Sequence, residues 1–319
     1  AAVQAMIDAL PDAEALDGMD DADAMAVYEA FQTACDAYYE TLTEGQQAQL
    51  KNTEKLEALS AWFSQLAALA AGGHQHPICG STCEDGNHNN VTWKGVMGVT
   101  GLQAGGHYYL MRDVTVSETW HPADGVVLCL NGHSITCNAG ADTSNPVPVI
   151  TVSETGCFTL TNCQTYWGDY KITHTEGKYG CGVYNEGTFN MYGGNITGNM
   201  AINYAGVYNE GIFNLYGGKI SDNKSVGNES SIFNDGEGGG VYNGDLLTVD
   251  TTAAFTMYGG TISGNTAGYG GGVYNKGTFE LSGGTISGNS AAQGGGVYSW
   301  GRGTTFTMSG GVIGGTKEN

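Results

Sequence analysis

From Cys181 onward, apolar and polar residues alternate in short pieces: V-Y-N, then T-F-x-M, then T-I-S, each followed by glycine or asparagine. A period of two puts successive side chains on opposite faces of an extended strand, so Val, Phe, Met or Leu, and Ile share one face. The pieces also recur. "CGVYNEGTFNMYGGNITGN" (181–199) returns as "AGVYNEGIFNLYGGKISDN" (205–223), carrying Val183 to Val207, Phe189 to Phe213 and Ile196 to Ile220, a step of 24. Phe255 and Phe279, Ile262 and Ile286, and Val273 and Val297 keep that step. A fixed period in this range marks units that bury an apolar face only by stacking on one another.

Three strands per unit, each ended by a residue that tolerates a sharp bend, predict one coil of a parallel β-helix. Stacking then predicts two buried columns: Phe189, Phe213, Phe255, Phe279 and Phe306, and Ile196, Ile220, Ile262, Ile286 and Ile313. Asn199, Asn223, Asn265 and Asn289 close the third strand of successive coils and are predicted to hydrogen-bond one another as a ladder. The run Gly270-Gly271-Gly272 precedes a strand and recurs before Val241 and Val297. A phosphate-binding loop would instead feed a helix N-terminus, with Lys and Ser or Thr beside it. The triplet is therefore read as a bend of the scaffold.

Residues 1–71 carry a different rhythm. Met25, Tyr28, Phe31, Cys35, Tyr38 and Leu42 recur at steps of three or four, as do Leu56, Leu59, Phe63, Leu66 and Leu69, and, more briefly, Val3, Met6, Ile7 and Leu10. These are stripes of amphipathic helices, and "TEGQ" (43–46) has the spacing of a capping box. The organisation expected is an acidic α-helical module over 1–71, a linker over 72–95, and a β-helix over 96–319. Within the linker, "HQHPICGSTCEDGNH" gathers His74, His76, Cys79, Cys83 and His88. Five nitrogen and sulfur donors within fifteen residues suffice for a tetrahedral zinc of structural kind. The alternative is a Cys79–Cys83 disulfide with solvent-facing histidines. No cofactor beyond that zinc is expected.

Charge narrows the partners. Eleven Lys and Arg against 32 Asp and Glu give a formal net charge of −21, a poor match for nucleic acid or an anionic membrane. No apolar stretch reaches the ~18 residues of a membrane span. Eight cysteines in a chain poor in Lys point to an oxidising, extracellular setting. Cys129 and Cys163, 34 residues apart, are placed to face each other across adjacent coils, leaving Cys137 and Cys157 as a second pair. Spacing alone does not fix that connectivity.

Two features offer binding chemistry. Tyr184, Tyr208, Tyr242, Tyr274 and Tyr298 fall once per coil at outward positions, and Tyr192, Tyr216 and Tyr258 form a second outward row that gives way to Ser282 and Ser309. Such rows either grip the apolar face of a sugar or a protein ligand, or only stack on one another. The repeat is also interrupted twice, between Asn223 and Gly240 and between Asn243 and Phe255. The interruptions must leave the barrel as loops, carrying Lys224, Glu229, Asp235, Glu237, Asp245 and Asp250. They are the one acidic cluster in the repeats on which a polysaccharide lyase or hydrolase site could be built.

"GGGVYNKGTFELSGGTISGN" (270–289) resembles the repeats of right-handed, single-stranded parallel β-helix proteins, the large secreted or wall-attached, adhesin-like surface proteins of gut Firmicutes. It is similar, more loosely, to the repeats of chlamydial polymorphic membrane proteins. "LCLNGHSI…FTLTNC" (128–163) resembles their opening coils. The resemblance spans about residues 74–319 and implies a fragment of a longer bacterial surface protein, secreted or attached to the cell wall. On this reading the chain is not an enzyme. It binds carbohydrate or a host or matrix protein, or serves as a stalk.

Overall fold

The computed structural model describes residues 2–16, 21–60, 93–163, 170–227, 236–245 and 252–314. The chain forms two compact units, Ala1–Gln75 and His76–Asn319. The first contains helices Ala2–Ala9, Asp21–Thr41 and Glu44–Gln47, a short 3-10 turn at Ala13–Leu16, and helical backbone over 54–60. Among its described residues Ile7, Leu10, Phe31, Ala34, Cys35, Leu56 and Leu59 are buried, all but Ala34 drawn from the three expected stripes. Gln46 Oε1 accepts from the Thr43 backbone N–H at 2.9 Å, one half of the expected capping box. Phe63, Leu66 and Leu69 lie outside the described residues.

The second unit is mainly β, a parallel β-helix of stacked coils. One coil shows how the sequence makes it. Strand Val183–Asn185 carries V-Y-N, strand Thr188–Met191 carries T-F-N-M, and strand Asn195–Thr197 carries N-I-T. A fourth, shorter strand, Met200–Ala201, closes the turn, where the repeat pattern predicts none. Each strand pairs in parallel with its counterpart one coil on: Phe189 with Phe213, Ile196 with Ile220, Val183 with Val207 and Met200 with Lys224. The result is four walls, of nine strands through the phenylalanines, eight through the isoleucines, six through V-Y-N, and four in the short corner ribbon. Their first strand, Lys94–Val96, begins two residues before the expected boundary.

The barrel interior is filled by like residues stacked on like. Phe158, Phe189, Phe213, Phe255 and Phe279 are fully buried in one column that Phe306 continues, with ring centroids 4.8–5.8 Å apart and planes within 18° of parallel. Offset stacking of this kind adds ~0.5–1.5 kcal/mol per pair beyond the apolar area removed from water. Ile196, Ile220, Ile262 and Ile286 are fully buried beside them. Phe306, 40% exposed, and Ile313, half-buried, depart from the expected burial because no described coil stacks beyond them. Asn131 and Gly132 form a tight turn, both at positive φ (51° and 84°). The turn joins strands of two different walls, Val126–Cys129 and Ile135–Cys137, so it makes a corner of the coil.

Two asparagine ladders pin the corners. Asn199, Asn223 and Asn265 each donate from Nδ2 to the Oδ1 of the next rung, ending on Asn289, at 2.9–3.0 Å. The second ladder uses the Asn of each V-Y-N: Asn185 to Asn209, Asn243 and Asn275 at 2.6–2.8 Å. Each bond satisfies a buried amide that would otherwise cost ~1–3 kcal/mol.

Candidate functional site

The side chains with chemistry to offer sit on the outer faces of the walls. The first tyrosine row stands on the V-Y-N wall and faces away from the barrel core, but it is not an exposed wall of rings. Tyr208, Tyr242 and Tyr274 are buried, and Tyr184 and Tyr298 are half-buried. The chain leading into each V-Y-N strand folds back across the row. There the glycine triplet finds its reason. Gly270 has φ +64°, and a Cβ on it would lie 2.7 Å from the Tyr274 backbone. A Cβ on Gly271 would meet the Ser290 carbonyl at 2.5 Å, and one on Gly272 would meet the Gly296 carbonyl at 2.5 Å and Ile286 Cγ2 at 2.8 Å. Only hydrogen at all three positions lets the backbone lie this close to the Tyr274 main chain and to the next coil.

In the coil at 204–206, Tyr204 takes the place of the first glycine, again at positive φ (63°). Its ring lies 4.5 Å from Tyr208 and 4.3 Å from Tyr242, and Tyr269 covers Tyr298 from the other side at 5.3 Å. The row is stacked at Tyr184–Tyr208 (4.8 Å) and at Tyr242–Tyr274 (5.0 Å). Between Tyr208 and Tyr242, where Tyr204 enters, the rings meet edge-on at 75°.

Carboxylates anchor the phenols. Tyr184 donates to Glu210 at 2.6 Å and to Glu186 at 3.1 Å, Tyr208 donates to the same Glu210, and Tyr274 hydrogen-bonds Glu237. Burial, reinforced by these carboxylates and neighbouring phenols, pushes the phenols of Tyr184, Tyr204, Tyr208, Tyr242 and Tyr274 far above the usual tyrosine range. Burial likewise raises the Glu237 carboxyl, against the opposing pull of Tyr274 and Lys276. Glu237 thus joins the tyrosine cluster. Asp245, beyond the Val241–Asn243 strand, accepts from Lys276 Nζ through its main-chain carbonyl at 2.7 Å. Asp235 lies outside the described residues, as do His74, His76, Cys79, Cys83 and His88.

The second row has the opposite character. Tyr192, Tyr216 and Tyr258 stand at the corner between the phenylalanine and isoleucine walls, stacked at 4.3 and 4.8 Å with planes 5° apart. Tyr258, the last rung, is 50% exposed. At the far end of the unit Trp300 is 62% exposed and lies parallel to Tyr298 at 6.4 Å.

The opening coils hold the remaining candidates. Cys129 and Cys163, expected as a disulfide, lie with their sulfurs 3.4 Å apart and unjoined, and burial together with the Cys163 contact holds the Cys129 thiol well above its usual range. The Cys137–Cys157 pairing is corrected. Cys137 lies within the barrel core, whereas strand Cys157–Thr161 buries Phe158 and Leu160 in the core and turns Cys157 outward, where Asn190 Nδ2 reaches its sulfur at 3.7 Å. The two thiols therefore point to opposite sides of the sheet. Cys181 is packed among the tyrosines, its thiol pushed up to about 12 by burial. His174 caps the first asparagine ladder, with Nδ1 2.7 Å from Asn199 Oδ1 and Nε2 2.8 Å from the Val147 carbonyl.

Sequence reasoning missed Tyr204 and Tyr269 as covers and Glu210 as the shared acceptor. The available signal was local: Tyr204 stands where later coils have the first glycine of the triplet. No protein-family model, curated protein or solved structure matches the chain. Among the described residues, no helix is long and apolar enough to cross a membrane.

Proposed function

We propose that the chain is a non-catalytic scaffold from a secreted or wall-attached bacterial surface protein, adhesin-like, that presents a rigid wall to a glycan or a matrix protein. One observation carries this reading: the residues with chemistry to offer serve the stack itself. The asparagines are spent on each other, Tyr184 and Tyr208 share Glu210, and His174 closes a ladder on Asn199. The net charge of −21 directs the reading toward neutral or cationic partners. The approach of Cys129 to Cys163 suits an oxidising compartment.

Incubation with pectin, mucin glycans and matrix proteins tests the proposal by measuring retention and product release together. Retention without chemistry supports it, new reducing ends or unsaturated products overturn it, and neither outcome leaves a passive stalk. A second reading, a lyase- or hydrolase-like site beside the 224–254 loops, is favoured by one observation. Glu237 is held toward its protonated form near Lys276, as a general acid would be.

A further inference from the structure

The outer tyrosine row ends abruptly, and the geometry of its end points to a ligand. Tyr258 follows Met257, and Met257 pairs in register with Leu281, so the next rung is Ser282; Leu281 pairs with Met308, and the rung after that is Ser309. Parallel strands repeat every ~4.8 Å, the spacing at which Tyr216 and Tyr258 stack. A serine side chain stops far short of where a fourth ring would lie. The outer face of Tyr258 therefore looks onto a step one rung deep. Ser282 and Ser309 pave the step, their hydroxyls 3.3 Å apart, and Ser282 donates to Glu280 Oε1 at 2.9 Å along its rim. Gly283 keeps the adjoining corner flat, because a Cβ there would lie 2.3 Å from the Tyr258 carbonyl.

We propose that this step is a subsite for a neutral pyranose ring, stacked by its apolar C–H face on Tyr258, with ring hydroxyls on Glu280, Ser282 and Ser309. An aromatic face beside a short row of hydroxyl and carboxylate groups matches the two-sided chemistry of a sugar. Glu280 and the net charge of −21 set the step against sialic and uronic acids. The assignment rests on the binding reading above and gives it a place and a ligand class.

Saturation-transfer NMR on the whole chain, with the methyl glycosides of glucose, galactose, mannose and N-acetylglucosamine as probes and glucuronate as the charged comparison, tests it. At least one neutral glycoside is expected to take up saturation through the protons of one ring face, and glucuronate is not. Tyr258→Ala is expected to weaken that binding at least ~10-fold, and Tyr258→Phe to hold it within ~3-fold, since stacking needs the ring and not the hydroxyl. Ser282→Tyr extends the ladder into the step and is expected to abolish binding while leaving the thermal midpoint unchanged or higher, which separates occlusion from unfolding. Binding that survives both Tyr258→Ala and Ser282→Tyr overturns the subsite and leaves the wider reading standing. Retention on matrix protein with silence toward every glycoside overturns the subsite alone, and silence toward both overturns the two together.

Discussion

The two tyrosine rows begin from the same circumstance and end in opposite ones. Each repeats once per coil, points away from the barrel and stacks ring on ring, yet Tyr242 is fully buried and Tyr258 is half exposed. The difference lies in what crosses above them. Over the V-Y-N wall the chain folds back on glycines and on Tyr204, and the phenols turn to Glu210 and Glu237. At the other corner a Gly-Gly pair follows each tyrosine, Tyr192 and Tyr216 are half-buried, and Tyr258 at the end of the row is half exposed. An outward position on a strand is thus a statement about the barrel, and exposure depends on the next connection.

Truncation at matched positions should break the comparison most sharply. Tyr242→Ala empties a sealed site and is expected to cost ~3–5 kcal/mol. Tyr216→Ala loses stacking at a half-open site and should cost ~1 kcal/mol. Urea midpoints of the two variants check this, and equal losses would mean that both rows are equally covered. Next in size is Gly270→Ala. The left-handed backbone alone costs an alanine ~1–2 kcal/mol, and the clash with Tyr274 adds to it. Gly303 has φ +79° and a Cβ placed on it would meet nothing within 4 Å, so Gly303→Ala should show the backbone cost alone. A thermal-shift comparison of the two isolates the contribution of the close approach.

Alkaline titration sharpens the contrast without mutation. The phenols of Tyr184, Tyr204, Tyr208, Tyr242 and Tyr274 are raised in the folded chain, so the native state holds protons that the unfolded state releases near pH ~10. The stability they contribute is present below that value and is lost as pH rises above it. Absorbance near the phenolate band should rise together with loss of β-sheet circular dichroism. Ionisation of these five in a chain that stays folded would contradict their burial.

The smallest effect is expected from Glu237→Gln. A carboxyl raised by burial stabilises the fold at pH below its unfolded value of ~4.3, and that contribution fades as pH rises through the folded value. The glutamine variant keeps an acceptor for Tyr274 and carries no charge. Its urea midpoint should exceed that of the parent at pH 7, with the difference closing at low pH.

The barrel itself was legible because its signal is doubly redundant. Alternation chose the face of Phe213 and Ile220, and the step of 24 chose their partners. The corner ribbon was not, because Met200–Ala201, Lys224–Ser225, Thr266–Tyr269 and Ser290–Gln293 share only a small residue at one register position, Ala201, Ser225, Ala267 and Ala291, which carries no strand signal. The second asparagine ladder was readable in principle, since every V-Y-N but the last ends alike, but an asparagine at a strand end looks the same whether it faces solvent or another rung. The facing of Cys137 and Cys157 was hidden for a different reason: the opening coils have no fixed period, so strand phase there cannot be counted from a neighbour. The cover over the first tyrosine row depends on where a connection doubles back, and only the glycines hint at it.

Both ladders point one way along the stack. Every rung gives one amide hydrogen to the Oδ1 of the rung that follows, while in the first ladder the same Nδ2 also donates back to an isoleucine carbonyl of the coil before. Each column therefore begins on a side-chain oxygen and ends on an amide nitrogen. At the head, His174 meets the oxygen of Asn199, while the Oδ1 of Asn185 has no partner among the described residues. At the tail, Asn289 gives Nδ2 to Ile262 and has no further rung. The side chains thus lay an arrow along the coils they join. A coil stacked in the reverse sense would set donor against donor on one side and acceptor against acceptor on the other, so one stacking sense alone satisfies the rungs.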